Sequence, residues 1–471
     1  MRCASLTTSL ATSLATAALL AGCVADPPPP QEIRKQALPA VGLEGAWRAD
    51  PSVSAEPVQA DWLRTFNDPQ LDALVREAIV NNPDLRVAGA RVEQAAQYLV
   101  LAQAPLRPWV GIFGTGGAKN GGGGDSSSAL QALMLFASWE LDLWGRLRYA
   151  RNAADQDFAA AAADLEFARQ SLAASTAKAW FTATQLTQNA ALAADMVRSA
   201  NELTLLAQDR ERVGAGTDAE TAVARANARE LESTHQQLEL ARTQALRALE
   251  LLVGRYPAAE VTARAELLAL PQPVAAGIPL QMLERRPDVI AAERRVAAAF
   301  NRVGQAKAAR LPQITLNANF GAFASEVLEL REDYENPSAG LGARLVAPIY
   351  QGGALQAQVE IRTLEQKEAV ADYARIALRA LGEVENALAA SSSLATRAAL
   401  LSDAVNEQTR ALELTQTRFR IGRADRRAVE QQRLSAQNAR IALLNVRTDE
   451  LAGRVNLHLA LGGGLAPAAS P

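Results

Sequence analysis

Residues Arg146 to Arg212 read RLRYARNAADQDFAAAAADLEFARQSLAASTAKAWFTATQLTQNAALAADMVRSANELTLLAQDRER, 67 residues without a proline or a glycine. At 1.5 Å per residue, one helix of that length is about 100 Å long, more than an ordinary globular domain is wide. A second stretch of the same length, Ala354 to Arg420, is interrupted only by Gly382. Within it Val370, Tyr373, Ala377, Leu381, Val384 and Leu388 step by three and four, a coiled-coil-type seam. Each long helix is expected to end at a glycine turn, Val213-Gly214-Ala215-Gly216 or Ile421-Gly422-Arg423-Ala424, with a return helix over about 218–253 or 425–461.

The two long helices belong to a unit written twice. Asn82-Pro83-Asp84-Leu85 is echoed by Arg286-Pro287-Asp288-Val289, and Ala88, Arg91 and Val92 by Ala292, Arg295 and Val296. Further on, Gly145, Gly214, Arg225 and Gly254 match Gly353, Gly422, Arg433 and Gly462. Asp68-Pro69 and Asn82-Pro83 are cap-plus-proline pairs that start helices near 69 and 83. The second is stopped by Pro105 and Pro108, and its partner, from about 287 to 309, by Pro312.

Between these helices and the long ones the period changes to two. Ile314, Leu316, Ala318, Phe320 and Ala322 alternate with Gln313, Thr315, Asn317, Asn319 and Gly321. Ala339 to Ala347 and Leu133 to Asp142 alternate likewise, and Trp109 to Gly117 supplies a fourth strand with poorer alternation. Such two-faced strands fit an outer-membrane barrel, and equally a soluble half-buried hairpin. The connecting segments Gly114 to Ser128 and Ser325 to Pro337 read as exposed loops. Four strands cannot close a barrel; two chains give eight strands and a filled lumen, whereas three give twelve and leave a passage. A homotrimer is the simplest solution.

The N-terminus reads as an address. Arg2 precedes an uncharged, small and apolar stretch from Leu6 to Ala21, ending in Leu20-Ala21-Gly22-Cys23, which resembles a bacterial lipoprotein cleavage box. Residues 1–22 are then the signal peptide, and Cys23 carries a diacylglyceryl group and an acyl chain such as palmitate. Val24, where Asp is the usual inner-membrane retention signal, favours the outer membrane, and Pro27 to Pro30 read as a stiff spacer.

Composition excludes much else. The chain has 471 residues, of which 49% are hydrophobic but only 5% aromatic, so the apolar fraction is largely alanine. That mix suits closely packed helices. A net charge of −3 gives no reason to expect nucleic acid, and two cysteines exclude a disulfide scaffold. Four unclustered methionines give no soft-metal site. His235 and His458 stand in neither a triad nor a zinc-binding pair. The glycines of the first loop lack the Lys-Ser/Thr of a phosphate loop. The chain does not read as an enzyme, and no cofactor is expected.

Asp61-Trp62-Leu63-Arg64-Thr65-Phe66-Asn67-Asp68-Pro69-Gln70-Leu71-Asp72 resembles the opening signature of the TolC-like outer-membrane efflux proteins. Leu283-Glu284-Arg285-Arg286-Pro287-Asp288-Val289 resembles their lipoprotein branch, the OprM and NodT-type proteins, and the similarity runs over roughly residues 60 to 462. The resemblance implies a mainly α fold with a membrane β-barrel portion, a homotrimer with a twelve-stranded barrel continuous with a long α-helical periplasmic barrel. It implies an exit duct of a tripartite efflux pump, joined through a periplasmic adaptor to an inner-membrane RND-type transporter and passing small molecules such as drugs.

The expected organisation is a linker over 23–60, a first repeat over 61–254 with its hairpin at about 108–143, an equatorial linker over 255–278, a second repeat over 279–462 with its hairpin at about 311–350, and a tail over 463–471. By the same resemblance Val213, Gly214, Ala215, Gly216 and Thr217, with Ile421 and Gly422, are the adaptor-contacting tips. Here Ala424-Asp425-Arg426-Arg427-Ala428 is one residue shorter than the family's segment and lacks its Tyr and Leu. Arg418, Arg420, Arg423, Asp425, Arg426, Arg427 and Glu430, with Asp209, Glu211 and Asp218, are candidates for a charged latch at the periplasmic end. Their alternative is solvated helix-end charge. A duct for type I protein secretion, or a helical scaffold without a pore, are the competing functions; the lipid box and the Arg-Arg-Pro-Asp signature favour efflux.

Overall fold

The computed structural model describes residues 24–115, 130–325 and 338–465, apart from 55, 57, 59 and 60. Cys23, the expected signal peptide over 1–22, most of both expected hairpin loops and the end of the expected tail lie outside the described residues. The helices are α1 (Pro30–Ala37), α2 (Pro69–Asn81), α3 (Pro83–Gln103), α4 (Arg146–Arg212), α5 (Asp218–Val253), α6 (Pro279–Arg285), α7 (Pro287–Ala308), α8 (Ala354–Arg420) and α9 (Arg426–Ala460). The strands are β1 (Trp109–Thr115), β2 (Leu130–Leu141), β3 (Gln313–Ser325) and β4 (Ser338–Val346).

Both long helices run 67 residues, and Gly382 does not break α8: a single glycine costs about 1 kcal/mol against alanine, which a helix of this length absorbs. The proline spacer is shorter than expected. Pro29 is extended at φ −63°, ψ 157°, but Pro30 is already the first residue of α1, where its missing N–H costs nothing. Helix α9 begins at Arg426 rather than Asp425, because Asp425 is its cap and its carboxylate accepts the Ala428 N–H at 2.8 Å.

Two compact units divide the chain, one from residues 1–40, 90–162 and 291–375, the other from 41–89, 163–290 and 376–471. Each draws on both repeats. In the first, the strands form one antiparallel sheet in the order β1-β2-β3-β4. The register pairs Ile112 with Leu135, Leu135 with Phe320, and Ala318 with Leu341. Directly opposite residues share a face, so one face carries Val110, Ile112, Leu133, Leu135, Trp139, Leu316, Phe320, Leu341 and Leu345 across all four strands. The other carries Ser138, Glu140, Thr315, Asn317, Asn319 and Arg344. The weak alternation of β1 has a simple origin: Trp109 and Phe113 lie on this second face, opposite Ser138 and Met134.

In the second unit, Trp62, Phe66, Leu71, Leu74, Val75, Trp180, Phe181, Leu249, Val253, Leu451 and Val455 form a buried core with the alanines of α4. Each buried methyl contributes only about 0.8 kcal/mol, so alanine stabilises through the length of helix it lets pack closely. The signature residues pin this core. Asp68 caps α2 by accepting the Gln70 N–H at 3.0 Å, and its other oxygen accepts the Trp180 indole N–H at 3.0 Å. Asn82 accepts the Asp84 N–H at 2.9 Å and donates to the Leu252 carbonyl at 2.9 Å. In the second repeat Arg286 replaces that amide and donates to the Ala460 carbonyl at 3.1 Å, the counterpart of Leu252. Gly254 and Gly462 follow those carbonyls at φ +85° and +69°; a Cβ on Gly254 would stand 2.9 Å from the Asn81 carbonyl oxygen, and one on Gly462 3.1 Å from the Arg285 carbonyl carbon.

The duplication has therefore kept a joint and changed its chemistry. Arg286 is 2% exposed, forks onto Asp288 at 3.0 and 2.8 Å and reaches Glu383 at 2.7 Å. Removing one member of a buried pair leaves the other uncompensated, at about 3–5 kcal/mol. Arg286→Met is expected to lower the thermal midpoint by several degrees, with Arg286→Lys recovering little because an ammonium cannot fork onto Asp288. Circular-dichroism melts of the two variants check this; wild-type midpoints in both would refute the joint.

Candidate functional site

The helix tips of the second unit are built alike. After α4, Gly214 adopts φ +77°, the Gly214 N–H donates to the Glu211 carbonyl at 2.9 Å and the Ala215 N–H to the Arg210 carbonyl at 2.8 Å. After α8, Gly422 adopts φ +72°, with Gly422 N–H on Phe419 at 3.0 Å and Arg423 N–H on Arg418 at 2.8 Å. Both are Schellman-type reversals that need a left-handed residue. Thr217 then opens α5 with a capping box: its hydroxyl accepts the Glu220 N–H at 3.2 Å while Glu220 accepts the Thr217 N–H at 3.3 Å. Between these caps Val213 and Ile421 are 73% and 62% exposed, and Phe419 is exposed as well, so each tip presents apolar surface to solvent.

The candidate latch residues are only partly brought together. Arg426 lies 3.2 Å from Glu430, and Arg427 3.8 Å from Asp425. Asp209 pairs with Arg212 on its own helix, and Arg420 donates to the Thr417 hydroxyl at 3.0 Å. Two partners were not foreseen. Glu202 of α4 stands 3.7 Å from Arg426, and Arg433 donates to Glu430 at 2.8 Å. Glu430 is 1% exposed, which sets it apart from solvated helix-end charge. The spacing Arg426, Glu430, Arg433 was readable as one helix face, whereas Glu202 enters only through the antiparallel packing of α4 on α9.

Around this cluster lies a polar cavity of about 340 Å³ whose lining includes Ser199, Glu202, Arg426, Glu430 and Gln437. The Ser199 hydroxyl and the Gln437 carbonyl oxygen are buried there without a protein partner. Further along, Gln185 and Asn189 donate to Asn445 at 2.7 and 3.0 Å, and Lys178 donates to Asn456 at 3.0 Å. The α4–α9 contact thus carries a polar seam of hydrogen bonds that can be broken and remade.

Long helices in duplicate, a sheet with one largely apolar face and paired glycine tips agree with the comparisons to known proteins. The family described as outer membrane efflux protein matches residues 74–255 and 278–463, one segment for each repeat. The chain belongs to the outer membrane efflux protein family. It is 31% identical to the pyoverdine export outer membrane protein OpmQ of Pseudomonas putida KT2440, over 90% of this chain and 93% of that one. It is 28% identical to the cation efflux system protein CusC of Escherichia coli K12, over 86% and 89%. Among solved structures, the outer-membrane channel OprN superposes with a TM-score of 0.80 at 25% identity, covering 94% of this chain and all of that one.

As an outer membrane efflux protein the chain is a channel component and not an enzyme, mainly α with a membrane β-barrel portion, and it works in the outer membrane with its helices in the periplasm. Its histidines fit that role. His235 lies 3.9 Å from Glu239 on a helix face, and His458 is stacked on Trp62, with centroids 5.9 Å apart at 21°. Among the described residues no cluster of acidic, His and Cys side chains is suited to a metal ion.

His458 is 3% exposed and both ring nitrogens lack a hydrogen-bond partner. Burial, with Arg454 nearby adding repulsion, lowers its pKa to about 4. The unfolded chain, with its histidine near 6.5, then binds more protons than the folded chain between pH 6.5 and 4. Stability is therefore lost as pH falls through that window, by roughly 3 kcal/mol in all. His458→Gln is expected to flatten the thermal midpoint between pH 6.5 and 4 relative to wild type; parallel pH profiles would exclude the assignment.

Proposed function

We propose that three copies of this chain form the exit duct of a tripartite efflux pump. The observation that carries this reading is the sheet. Its apolar face spans all four strands, and β1 and β4 each have one edge unpaired by the described residues. Backbone groups left open in hydrocarbon cost several kcal/mol each, so such a sheet needs further copies to close it. Three copies supply twelve strands and leave a passage, where eight would be filled by side chains. The family's description as efflux proteins favours this duct over protein secretion or a scaffold without a pore.

At the helix tips, the exposed Val213, Phe419 and Ile421 with the paired glycine reversals support docking of a periplasmic adaptor, which links the duct to an inner-membrane RND-type transporter. Val213 to Thr217, Ile421 and Gly422 are the contacts we assign to it. The cluster of Arg426, Glu430, Glu202 and Arg433 forms the latch, with Asp425 and Arg427 beside it. Arg418, Arg420 and Arg423 contribute the positive charge of the second tip. The exposed pair of Arg427 and Asp425 is worth about 0–1 kcal/mol, the pairs on the buried Glu430 hold more firmly, and threefold repetition gives a reversible closure. The relatives differ in cargo, by name pyoverdine for OpmQ and cations for CusC. Cys23 carries the lipid anchor.

Purified full-length protein is expected to have a trimer's mass by light scattering and to give discrete ionic steps in planar bilayers. A monomer that never inserts would sink the duct. Glu430→Gln is expected to lengthen open dwell times at least threefold, because Arg426 loses the carboxylate that fixes it; unchanged dwell times remove Glu430 from the latch. Radiolabelled palmitate is expected to enter the wild type and not Cys23→Ser, and equal labelling would exclude Cys23.

A further inference from the structure

The polar face of the sheet carries an aromatic pair that neither lipid contact nor ion passage requires. Trp109 and Phe136 lie on the same face as Ser138, Thr315, Asn317 and Asn319, opposite the face of Leu133, Leu135 and Phe320. Their rings are 4.6 Å apart at 60°. They meet above Gly111, where a Cβ would stand 3.0 Å from the Phe136 ring and 3.2 Å from Trp109, so the missing side chain makes room for both. Although paired, Trp109 is still 59% exposed, and Phe113, two residues further along the same face, is 53% exposed. A lipid-facing role is excluded by the register, since in a barrel the more apolar face turns outward and this one inward. Covering Gly111 accounts for Phe136, which is partly buried, and leaves the open face of the Trp109 indole unused.

We propose that Trp109, with Phe136 behind it and Phe113 further along β1, forms a stacking platform on the lumen wall for planar aromatic solutes passing through the duct. This rests on the duct reading, which turns that face to the lumen. The chemistry is the match of an exposed π-face to another, set in a wall whose remaining positions are mostly amides, hydroxyls and glycines, with Met134 opposite Phe113 and the charged Glu140 and Arg344 beyond Ser138. Such a wall gives an aromatic solute one place to pause and an aliphatic one none. A Trp at the start of β1 in each of three copies repeats the platform around the lumen. Stacking on one ring changes affinity by about two- to twelvefold, strong enough to retain a solute and weak enough to release it.

The test titrates ethidium, a planar aromatic cation, into the full-length protein in lipid nanodiscs and follows its fluorescence, with tetraethylammonium as an aliphatic competitor of the same charge. Trp109→Leu is expected to weaken ethidium binding about three- to tenfold, Trp109→Phe to keep most of it, and tetraethylammonium to compete poorly. Phe113→Leu, an exposed change that leaves the Trp109–Phe136 pair in place, is expected to weaken it about twofold and serves if Trp109→Leu does not fold. Ionic conductance of the same preparations is expected to be unchanged. Equal ethidium affinity in wild type, Trp109→Leu and Phe113→Leu, with normal conductance, overturns the platform and leaves the duct standing. Tetraethylammonium displacing ethidium at concentrations comparable to ethidium's own dissociation constant also overturns it, because charge would then be the determinant. Protein that neither assembles nor conducts overturns the duct and the platform together.

Discussion

A sheet edge exposed to hydrocarbon leaves both a backbone donor and an acceptor unpaired at every second residue, and no side chain in lipid replaces water there. This constraint reaches every level of the molecule. It forbids the four strands from standing alone, and so makes the chain a part of something larger. It requires the strands to run continuously across the apolar layer, and β2 and β3 do so with unbroken pairing from Leu130–Ser325 to Leu141–Ile314. It also separates two surfaces, because a closed sheet has an outer face that must be apolar and an inner face that is free to be anything else. The inner face here is amide-rich and glycine-rich, with aromatic rings at only a few places.

The helical part answers a different problem. A helix of 67 residues offers little aromatic surface per turn when its interior positions are alanine. It is held instead by a few concentrated joints, and these are the family's signature motifs. Asp68 ties the start of α2 to Trp180, Asn82 ties α3 to the end of α5, and Arg286 with Asp288 ties α7 to the end of α9. Nearby, the Glu250 carboxylate accepts the backbone N–H groups of Ala259, Glu260 and Val261 at 2.6, 2.6 and 3.1 Å, fixing the start of the linker that follows α5. Burial alone would raise its pKa; these donors overcome that and hold it below the usual carboxylate range. Away from the joints, the α4–α9 seam of Asn, Gln, Arg and Glu is bound by exchangeable hydrogen bonds. The helices are thus clamped by fixed joints at some levels and held by exchangeable contacts at others.

The duplication explains why two such different jobs sit in one chain. Each copy supplies a hairpin, a long helix and a return helix, and the copies diverge where geometry leaves freedom. The same joint uses a neutral amide at Asn82 and a forked guanidinium at Arg286, both reaching the carbonyl at the end of the return helix. The tips share the left-handed glycine, while one opens its next helix with a Thr217 capping box and the other with an Asp425 cap.

Much was determined by local pattern. Proline-free length fixed α4 and α8, cap-plus-proline pairs fixed the starts of α2 and α3, the echoed Arg286-Pro287 fixed that of α7, and two-residue alternation fixed β2, β3 and β4, because these signals act within a few residues of themselves. The Arg426–Glu430–Arg433 spacing was legible for the same reason. Tertiary structure alone decided what depends on register between distant segments. The place of Glu202 in the charge cluster came from helix-on-helix packing. The meeting of Trp109 with Phe136 above Gly111 came from strand pairing, which the weak alternation of β1 concealed. The burial of His458 on Trp62 joined two ends of the chain. A sequence carries its periods and caps on its face, but which side chains meet across an interface is set only when the backbone's hydrogen-bonding demands have chosen the register.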